Sequence, residues 1–224
     1  SGSTHSAELV QSVVQQGTPA VILGKLMPDV QADGVVADNY GGAFEAIEHL
    51  IGHGYRRIAH ITGPQDSRHA AERLQAYRDA MKKHDLPVPD EYVAQGAYSH
   101  ESGYEVAQQL LSLPEPPEAL FCADDLIALG AMMAAEALGY GVPDDLAIVG
   151  FDGLETGAYV NPPLTTVFQP MDKIGREAVS TLLWRIANPD AELRETVLPT
   201  ELLIRRSCGC PASAHVAAVS GAAA

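Results

Sequence analysis

Residues 147–152 read Ala-Ile-Val-Gly-Phe-Asp, a short apolar run that ends on an aspartate. Runs of this length and composition are typical of strands that are buried on both faces of a parallel sheet. In open α/β sheets, ligands bind just beyond the carboxyl ends of the strands. Asp152 is therefore our first candidate for contact with a small molecule.

Similar runs alternate with helical spacing along the chain, which predicts repeated βα units and a parallel sheet of the α/β class. Asn39 is expected to cap the second helix. Residues 208–224 are mostly Ala, Ser, Gly and Val, and we expect them to form a disordered tail. The strands are predicted at 20–24, 34–37, 57–62, 118–122 and 146–150, and the helices at 5–16, 40–53, 68–84, 99–112, 125–138 and 171–187.

Composition limits the class of protein. The 224 residues are 46% apolar and 19% charged, which is ordinary for a globular protein. No run approaches the ~18 apolar residues of a membrane-spanning helix, and the N-terminus lacks the features of a secretory signal, so we expect a cytoplasmic protein that does not bind membranes. The net charge of −15 argues against nucleic-acid binding by these residues themselves.

The spacing of cysteines and histidines in the sequence predicts no metal or cofactor site. Cys208 and Cys210 are only two residues apart, and such a pair supplies too few of the roughly four ligands that zinc prefers. His49 and His53 have the i, i+4 spacing of a helical metal pair, but the sequence places no third ligand beside them. We expect them to lie on a solvated or partly packed face. No dinucleotide-binding or P-loop motif is present.

Several motifs follow one another in a fixed order along the chain. Together they resemble the effector-binding core of the LacI/GalR (lac-repressor-like) family of transcriptional regulators. The motifs are Asp38-Asn39 with Gly41-Gly42, His-Gly-Tyr-Arg-Arg-Ile-Ala-His-Ile at 53–61, Gly63-Pro64 with Arg73, Ala123-Asp124-Asp125 leading into Ala128-Leu129-Gly130, Val-Pro-Asp-Asp-Leu-Ala-Ile-Val-Gly-Phe-Asp-Gly at 142–153, and Asn-Pro-Pro-Leu-Thr-Thr-Val-Phe-Gln-Pro at 161–170.

This resemblance implies two doubly wound parallel-sheet lobes with a ligand cleft between them, the periplasmic-binding-protein-like fold. The three crossovers between lobes would fall near Asp38, Gln169 and Leu198. An N-terminal lobe would then comprise 1–38 and 170–198, and a C-terminal lobe 39–169 and 199–207. The N-terminal lobe is expected to be incomplete in this chain, and the family's helix-turn-helix DNA-binding domain is expected to lie outside these residues.

The same resemblance implies an effector site around Arg73 and Asp152. The guanidinium fork can donate paired hydrogen bonds to ligand oxygens, and the carboxylate can accept from adjacent hydroxyls. Without the resemblance, Arg73 would be taken as a solvated helix residue and Asp152 as a turn cap. Replacing either with alanine is expected to remove the effector response and leave the fold intact.

Five further residues are candidates for effector contact. The Tyr98 ring can cover a sugar face or stack on a base, although packing at the cleft edge is the alternative. Asp124 stands where sugar-responsive relatives often have asparagine, and Asp125 is expected to be structural. The remaining candidates are Ser67, His69 and Gln169.

The segment 126–138 is apolar nearly all round, so it is buried or shared with another chain. In the resembling family it contributes to the dimer interface. Leu129, Met132 and Met133 are therefore expected to contact a second subunit, with core packing inside the lobe as the alternative.

The resemblance predicts a sensor and no enzyme. The effector would be a sugar, a sugar phosphate or a nucleoside, and operator DNA would be bound only through the missing N-terminal domain. A periplasmic sugar-binding protein of a transport system is the alternative. A magnesium enzyme using Asp124, Asp125 and Asp152 is a further one, but no nucleophile or basic partner accompanies them.

Overall fold

The computed structural model describes residues 10–24, 30 and 32–210. Residues 10–15 are helical. The strands are β1 (Val21–Leu23), β2 (Asp33–Ala37), β3 (Ile58–Thr62), β4 (Val93–Gln95), β5 (Ala119–Cys122), β6 (Ala147–Asp152), β7 (Thr165–Phe168), β8 (Glu195–Leu198) and β9 (Glu201–Leu203). The helices described from end to end are α1 (Asn39–Gly52), α2 (Arg68–Lys83), α3 (His100–Leu111), α4 (Asp125–Leu138) and α5 (Met171–Ala187).

The strands form two sheets, as the resemblance predicts. The larger sheet has the order β4-β3-β5-β6-β7-β9, and the smaller one has the order β1-β2-β8. All neighbours pair in parallel except β9, which runs antiparallel to β7. The carboxyl ends of the parallel strands in the larger sheet therefore meet at one edge, and β9 carries the chain back towards the opposite edge.

Helices cover both faces of the larger sheet, and strand β5 shows how. Ala119 and Phe121 pack into one core with residues of α1 and α2, whereas Leu120 and Cys122 pack into a second core with residues of α3 and α4. All four side chains are fully buried. Successive side chains of a strand point to opposite faces, so a run that is apolar throughout requires cover on both sides.

A buried ion pair holds the smaller sheet to its helix. Arg185 of α5 donates to both carboxylate oxygens of Asp33, from Nε at 2.7 Å and from Nη2 at 2.9 Å. Burial alone would raise the pKa of Asp33, but hydrogen bonds from Arg185 and the Arg194 backbone outweigh burial and lower that pKa. The sequence motifs gave no sign of this pair.

The start of α1 corrects one prediction. Asp38, not Asn39, is the N-cap, and its side chain accepts a hydrogen bond from the Gly41 backbone N–H at 2.8 Å. Asn39 is the first helical residue and is buried. Its side-chain amide does not cap the helix and contacts other side chains instead.

The predicted elements are present where residues are described, but four strands were missed. These are β4, β7, β8 and β9, which have only three or four residues each. Residues 5–9 of the first predicted helix lie outside the described residues. The chain passes between the two sheets after β2, after β7 and after β8. The residue limits of the two lobes stay predictions.

The prediction of a disordered tail from residue 208 is wrong for its first three residues. Cys208 is fully buried in the core beneath α1 and α2, and Cys210 packs against the same core. Both cysteines lie beside His49 and His53, so these histidines are not simply a solvated pair. Residues 211–224 lie outside the described residues. No helix in the described part of the chain is long and apolar enough to cross a membrane.

Candidate functional site

Arg73 lies at the centre of the candidate site and is only 4% exposed. Its Nε and Nη2 atoms donate to Asn39 Oδ1 at 3.0 and 2.8 Å, and Nη1 donates to the backbone carbonyl of Ala123. The guanidinium carbon lies 3.6 Å from the ring centroid of Phe151. Hydrogen bonds and the aromatic face together fix the fork in one orientation.

Asn39 orients Arg73, a role that sequence reasoning missed. The Asn39 amide nitrogen donates to the carbonyl of Ala37 at 3.1 Å, which leaves Oδ1 facing the guanidinium. The same nitrogen lies 3.0 Å from Nδ1 of His69. The Asp38-Asn39 motif was the available signal, but it was interpreted as a helix start and a crossover between lobes, with no contact to Arg73.

Asp152 ends β6 in a strained backbone conformation. Its φ of +114° lies in the left-handed region that favours glycine, and such strain is concentrated at functional sites. Its Oδ1 atom accepts from Gln169 Nε2 at 2.6 Å and lies 3.5 Å from Arg73 Nη2. The side chain is 31% accessible, and Oδ2 takes part in neither contact. Burial raises the pKa of this carboxyl, while Arg73 opposes that effect.

Asp124 and Asp125 begin α4 and have different tasks. Asp124 is the N-cap, accepting from the Ile127 N–H at 2.7 Å, and burial raises its pKa to about 6. Asp125 is fully buried and accepts from the Thr166 hydroxyl and from the Leu154 N–H, both at 2.6 Å. Burial raises the pKa of Asp125 to about 7. Asp125 therefore links α4 to Leu154 and to β7. In Asp124, Oδ1 is the oxygen that caps the helix.

Tyr98 stands at the rim of the same strand ends. Its hydroxyl lies 3.0 Å from Ser67 Oγ, and Ser67 also caps α2 by accepting from the Ala70 N–H. A Cβ atom at position 63 would lie 2.5 Å from the Tyr98 ring, so the close approach of the ring requires Gly63. Tyr98 is partly exposed, which leaves part of the ring available to a ligand.

A cavity of about 180 Å³ lies between the two sheets at this edge. It is lined by His69, Arg73 and Gln169 from one side and by residues of β1 and β2, such as Val35, from the other. The structure thus brings the seven predicted effector-contact residues to one end of the larger sheet, where the smaller sheet approaches it.

The three predicted dimer residues lie elsewhere, along α4. Met133 is 57% exposed, whereas Leu129 and Met132 are each 9% exposed and belong to the core of this chain. All three line a groove of about 810 Å³ that also includes Tyr140 and Val160.

Comparisons with known proteins agree with this geometry. Residues 47–208 match the periplasmic binding protein-like domain family. The chain is 38% identical to the HTH-type transcriptional repressor CytR of Escherichia coli (strain K12) over 189 residues, which are 84% of this chain and 55% of the repressor. The chain spans about half the length of the curated relatives it matches.

Solved structures give the same result. A complex of the transcriptional regulator CelR with cellobiose has a TM-score of 0.82 at 37% identity, covering 87% of this chain and 60% of that chain. A LacI family transcriptional regulator from Enterococcus faecium with bound ribose has a TM-score of 0.77 at 27% identity, covering 87% of this chain and 72% of that chain. This chain belongs to the periplasmic binding protein-like domain family and is an effector-binding domain of the LacI/GalR type.

Proposed function

We propose that this chain is the effector-sensing and dimerisation part of a LacI-type transcriptional regulator and that it binds a neutral saccharide. The observation that carries the proposal is the network of Arg73, Asp152 and Gln169 at the strand ends of the larger sheet. A ligand that binds one relative orientation of the two lobes more tightly than the other shifts the equilibrium between these orientations. That shift would be passed to DNA-reading parts of the regulator outside these 224 residues.

The lining of the site favours a neutral polyol over a sugar phosphate. Asp152 and Asp124 offer carboxylate oxygens, which accept hydrogen bonds from hydroxyls and repel an anionic group. Arg73 is already engaged with Asn39 and the carbonyl of Ala123. The exposed part of the Tyr98 ring can cover the apolar face of a sugar. Two of the regulators with similar structures were solved with cellobiose and with ribose.

Thermal unfolding of the purified chain against saccharides, sugar phosphates and nucleosides tests the effector class. A ligand at ~100 times its Kd adds about 2.7 kcal/mol of stability. A rise in Tm with a neutral saccharide, and none with its phosphate ester, is the expected result. A nucleoside or a sugar phosphate that gave the larger rise would overturn the proposed class.

A substitution at Asp152 tests the site itself. Asp152→Asn removes the charge but keeps a side-chain oxygen for Gln169, and saccharide affinity should fall roughly 10- to 100-fold because a charge-assisted hydrogen bond is lost. Asp144→Asn is the matched control, since Asp144 is exposed and lies outside the site. Equal saccharide affinity in calorimetry for the two variants would remove Asp152 from the binding site.

The dimer is proposed to form through the groove along α4 against the same face of a second copy. Met133 presents an exposed apolar side chain there, and Leu129 and Met132 line the groove beside it. Met133→Lys should shift the chain to monomer in sedimentation analysis. Leu138→Lys, on the same helix, should not, because Leu138 is exposed and does not line the groove. Identical sedimentation of both variants would rule this face out.

Two alternatives are less well supported. The relatives are transcriptional repressors, which does not favour a transport protein and is consistent with a cytoplasmic regulator. A magnesium enzyme would need the carboxylates of Asp124, Asp125 and Asp152 together. Instead, Asp124 caps a helix and both oxygens of Asp125 accept hydrogen bonds from the protein. We therefore propose no enzymatic role.

A further inference from the structure

Four side chains of types that can ligate a metal lie together at the end of the larger sheet that is away from the effector site. His49 and His53 are one turn apart at the carboxyl end of α1. Cys208 and Cys210 follow β9, whose antiparallel direction returns the chain to this end. The side chains come from segments separated by more than 150 residues, and no motif in the sequence connects them.

The distances fit a tetrahedral ion. His49 Nε2 lies 3.3 Å from Cys208 Sγ and 3.7 Å from Cys210 Sγ, and His53 Nε2 lies 3.1 Å from Cys210 Sγ. All four ligand atoms lie within 4.8 Å of one another. In a tetrahedral zinc site, with Zn–N of 2.0–2.1 Å and Zn–S of about 2.3 Å, neighbouring ligand atoms are about 3.3–3.8 Å apart.

We propose that His49, His53, Cys208 and Cys210 form a structural Cys₂His₂ zinc site. Two thiolates and two imidazoles form a donor set that is preferred by zinc over magnesium or calcium. Four protein ligands complete the coordination and leave no open position for a substrate or water, so the role is structural.

The surroundings of the cysteines support this assignment. The Thr165 hydroxyl donates to Cys208 Sγ at 3.1 Å, and outer-shell hydrogen bonds of this kind orient metal ligands. Gly209 has a φ of +93°, so the chain turns sharply between the two sulfurs. The Tyr55 hydroxyl donates to the carbonyl of Cys208 at 3.4 Å. Side chain and backbone thus hold both sulfurs toward the histidines.

The consequence of such a site is a clasp between the last described segment and α1. Zinc would join residues 208–210 to the end of a helix whose other end, at Asn39, orients Arg73. Binding energy at a structural zinc contributes directly to folding. The clasp therefore stabilises the lobe without touching the effector.

Metal analysis of the untagged chain, purified under reducing conditions, tests the proposal. The expected zinc content is about one ion per chain. Titration of the metal-free chain with Co²⁺ should give the intense visible bands of tetrahedral cobalt and a thiolate-to-cobalt charge-transfer band. Zinc below about a tenth of an ion per chain, together with no cobalt bands, would overturn the proposal, as would a weak spectrum typical of octahedral cobalt.

Two variants and a control separate this cluster from adventitious binding. Cys210→Ser and His53→Gln should each lower cobalt affinity by more than about 100-fold, since loss of an outer-shell partner alone lowers it 10- to 100-fold. His84→Gln is the control, because His84 is also an accessible histidine but pairs with Glu48 instead. His53 is exposed, so its variant should keep the native circular dichroism spectrum. Cobalt bands of unchanged intensity in both cluster variants would refute the site.

Thermal unfolding gives a readout that does not depend on the cobalt spectrum. A zinc chelator should lower the Tm of the wild-type chain and of His84→Gln, and it should leave the Tm of His53→Gln unchanged. A Tm that falls equally in all three proteins would show that the chelator acts elsewhere and would contradict the clasp.

Discussion

The two ends of the larger sheet hold polar clusters of opposite character. At the effector end, Arg73 and Asp152 form a charged, hydrogen-bonded pair beside a cavity. At the other end, imidazoles and thiols gather, and burial together with the neighbouring His53 lowers the pKa of His49 to about 4. The effector end thus keeps charged groups, whereas the other end offers neutral imidazoles and thiols, of which the thiols bind a metal by releasing their protons.

The two clusters are assembled in different ways. Parallel strands bring their carboxyl ends to one edge, so polar residues that follow them converge there. The other end receives the helix ends and loops that lead into the strands, such as His49 and His53, and it receives Cys208 and Cys210 because β9 returns the chain to it. The experiments below test whether the two ends depend on their clusters in these different ways.

The largest effect is expected from Arg73→Ala. Because Arg73 is buried, removing it leaves Asp152 and Asp124 without their cation, and unfolding free energy should fall by about 3–5 kcal/mol. The burial of Arg73 thus predicts a destabilised variant, whereas the sequence alone predicted that Arg73→Ala leaves the fold intact. Urea denaturation measures the loss. Arg78→Ala, on the exposed face of the same helix, should stay within about 0.5 kcal/mol of wild type.

Equal, small losses of stability in both arginine variants would show that Arg73 behaves as an ordinary surface residue. The stability of the effector end would then not depend on its buried charge.

Asp125→Asn tests the pH dependence of the effector end. The folded pKa of Asp125, about 7, lies above its ordinary value, so protonation favours the folded state. This contribution is complete below the ordinary carboxyl pKa and is lost as pH rises through 7. Between pH 8 and pH 5 the wild type should gain roughly 2–3 kcal/mol relative to the variant, whose amide mimics the protonated acid. Parallel stability curves from chemical denaturation would contradict the raised pKa.

His60 adds an opposite slope that is common to both proteins. Its pKa is lowered to about 4 because it is fully buried, so falling pH through 6.5 destabilises the fold until His60 itself is protonated. The difference between wild type and Asp125→Asn cancels this contribution, which is why the difference should be measured.

Gly209→Ala tests the end that holds the cysteines. Position 209 has a positive φ, and an added Cβ would lie 2.8 Å from the Tyr55 hydroxyl, so stability should fall by about 1–2 kcal/mol and cobalt affinity should fall with it. Gly52→Ala, at the end of α1 where an added Cβ meets nothing within 4 Å, is the control. A stability loss with unchanged cobalt affinity would separate the turn from the metal site.

The smallest effect is expected from two helix caps. Ser67→Ala and Ser99→Ala each remove a capping side chain, from α2 and α3, and each should lower stability by about 1 kcal/mol. Only Ser67→Ala should also weaken saccharide binding, because Ser67 contacts Tyr98. Equal saccharide affinities in calorimetry would exclude the Ser67–Tyr98 contact from the effector site.

Sequence patterns predicted the sheet class, the long helices and a carboxylate at the end of β6, for a physical reason, whereas the effector site stays a prediction from the family resemblance. Buried strands such as Ala147–Asp152 are apolar throughout, and polar residues follow their ends. Strands of three or four half-buried residues, such as β4 and β8, carry too little pattern to detect. The role of Asn39 depends on its position opposite Arg73, and the metal cluster depends on the reversal at β9. These are tertiary relations that local spacing does not encode.

The strained backbone at Asp152 has a genetic consequence. A single-nucleotide change turns an aspartate codon into a glycine codon, and glycine adopts a φ of +114° without strain. Asp152→Gly would therefore lose the carboxylate while relaxing the main chain. In a screen for loss of the proposed effector response, this substitution should recur, and it should lower stability less than Asp152→Ala does, because the relaxed main chain offsets part of the lost pairing with Arg73.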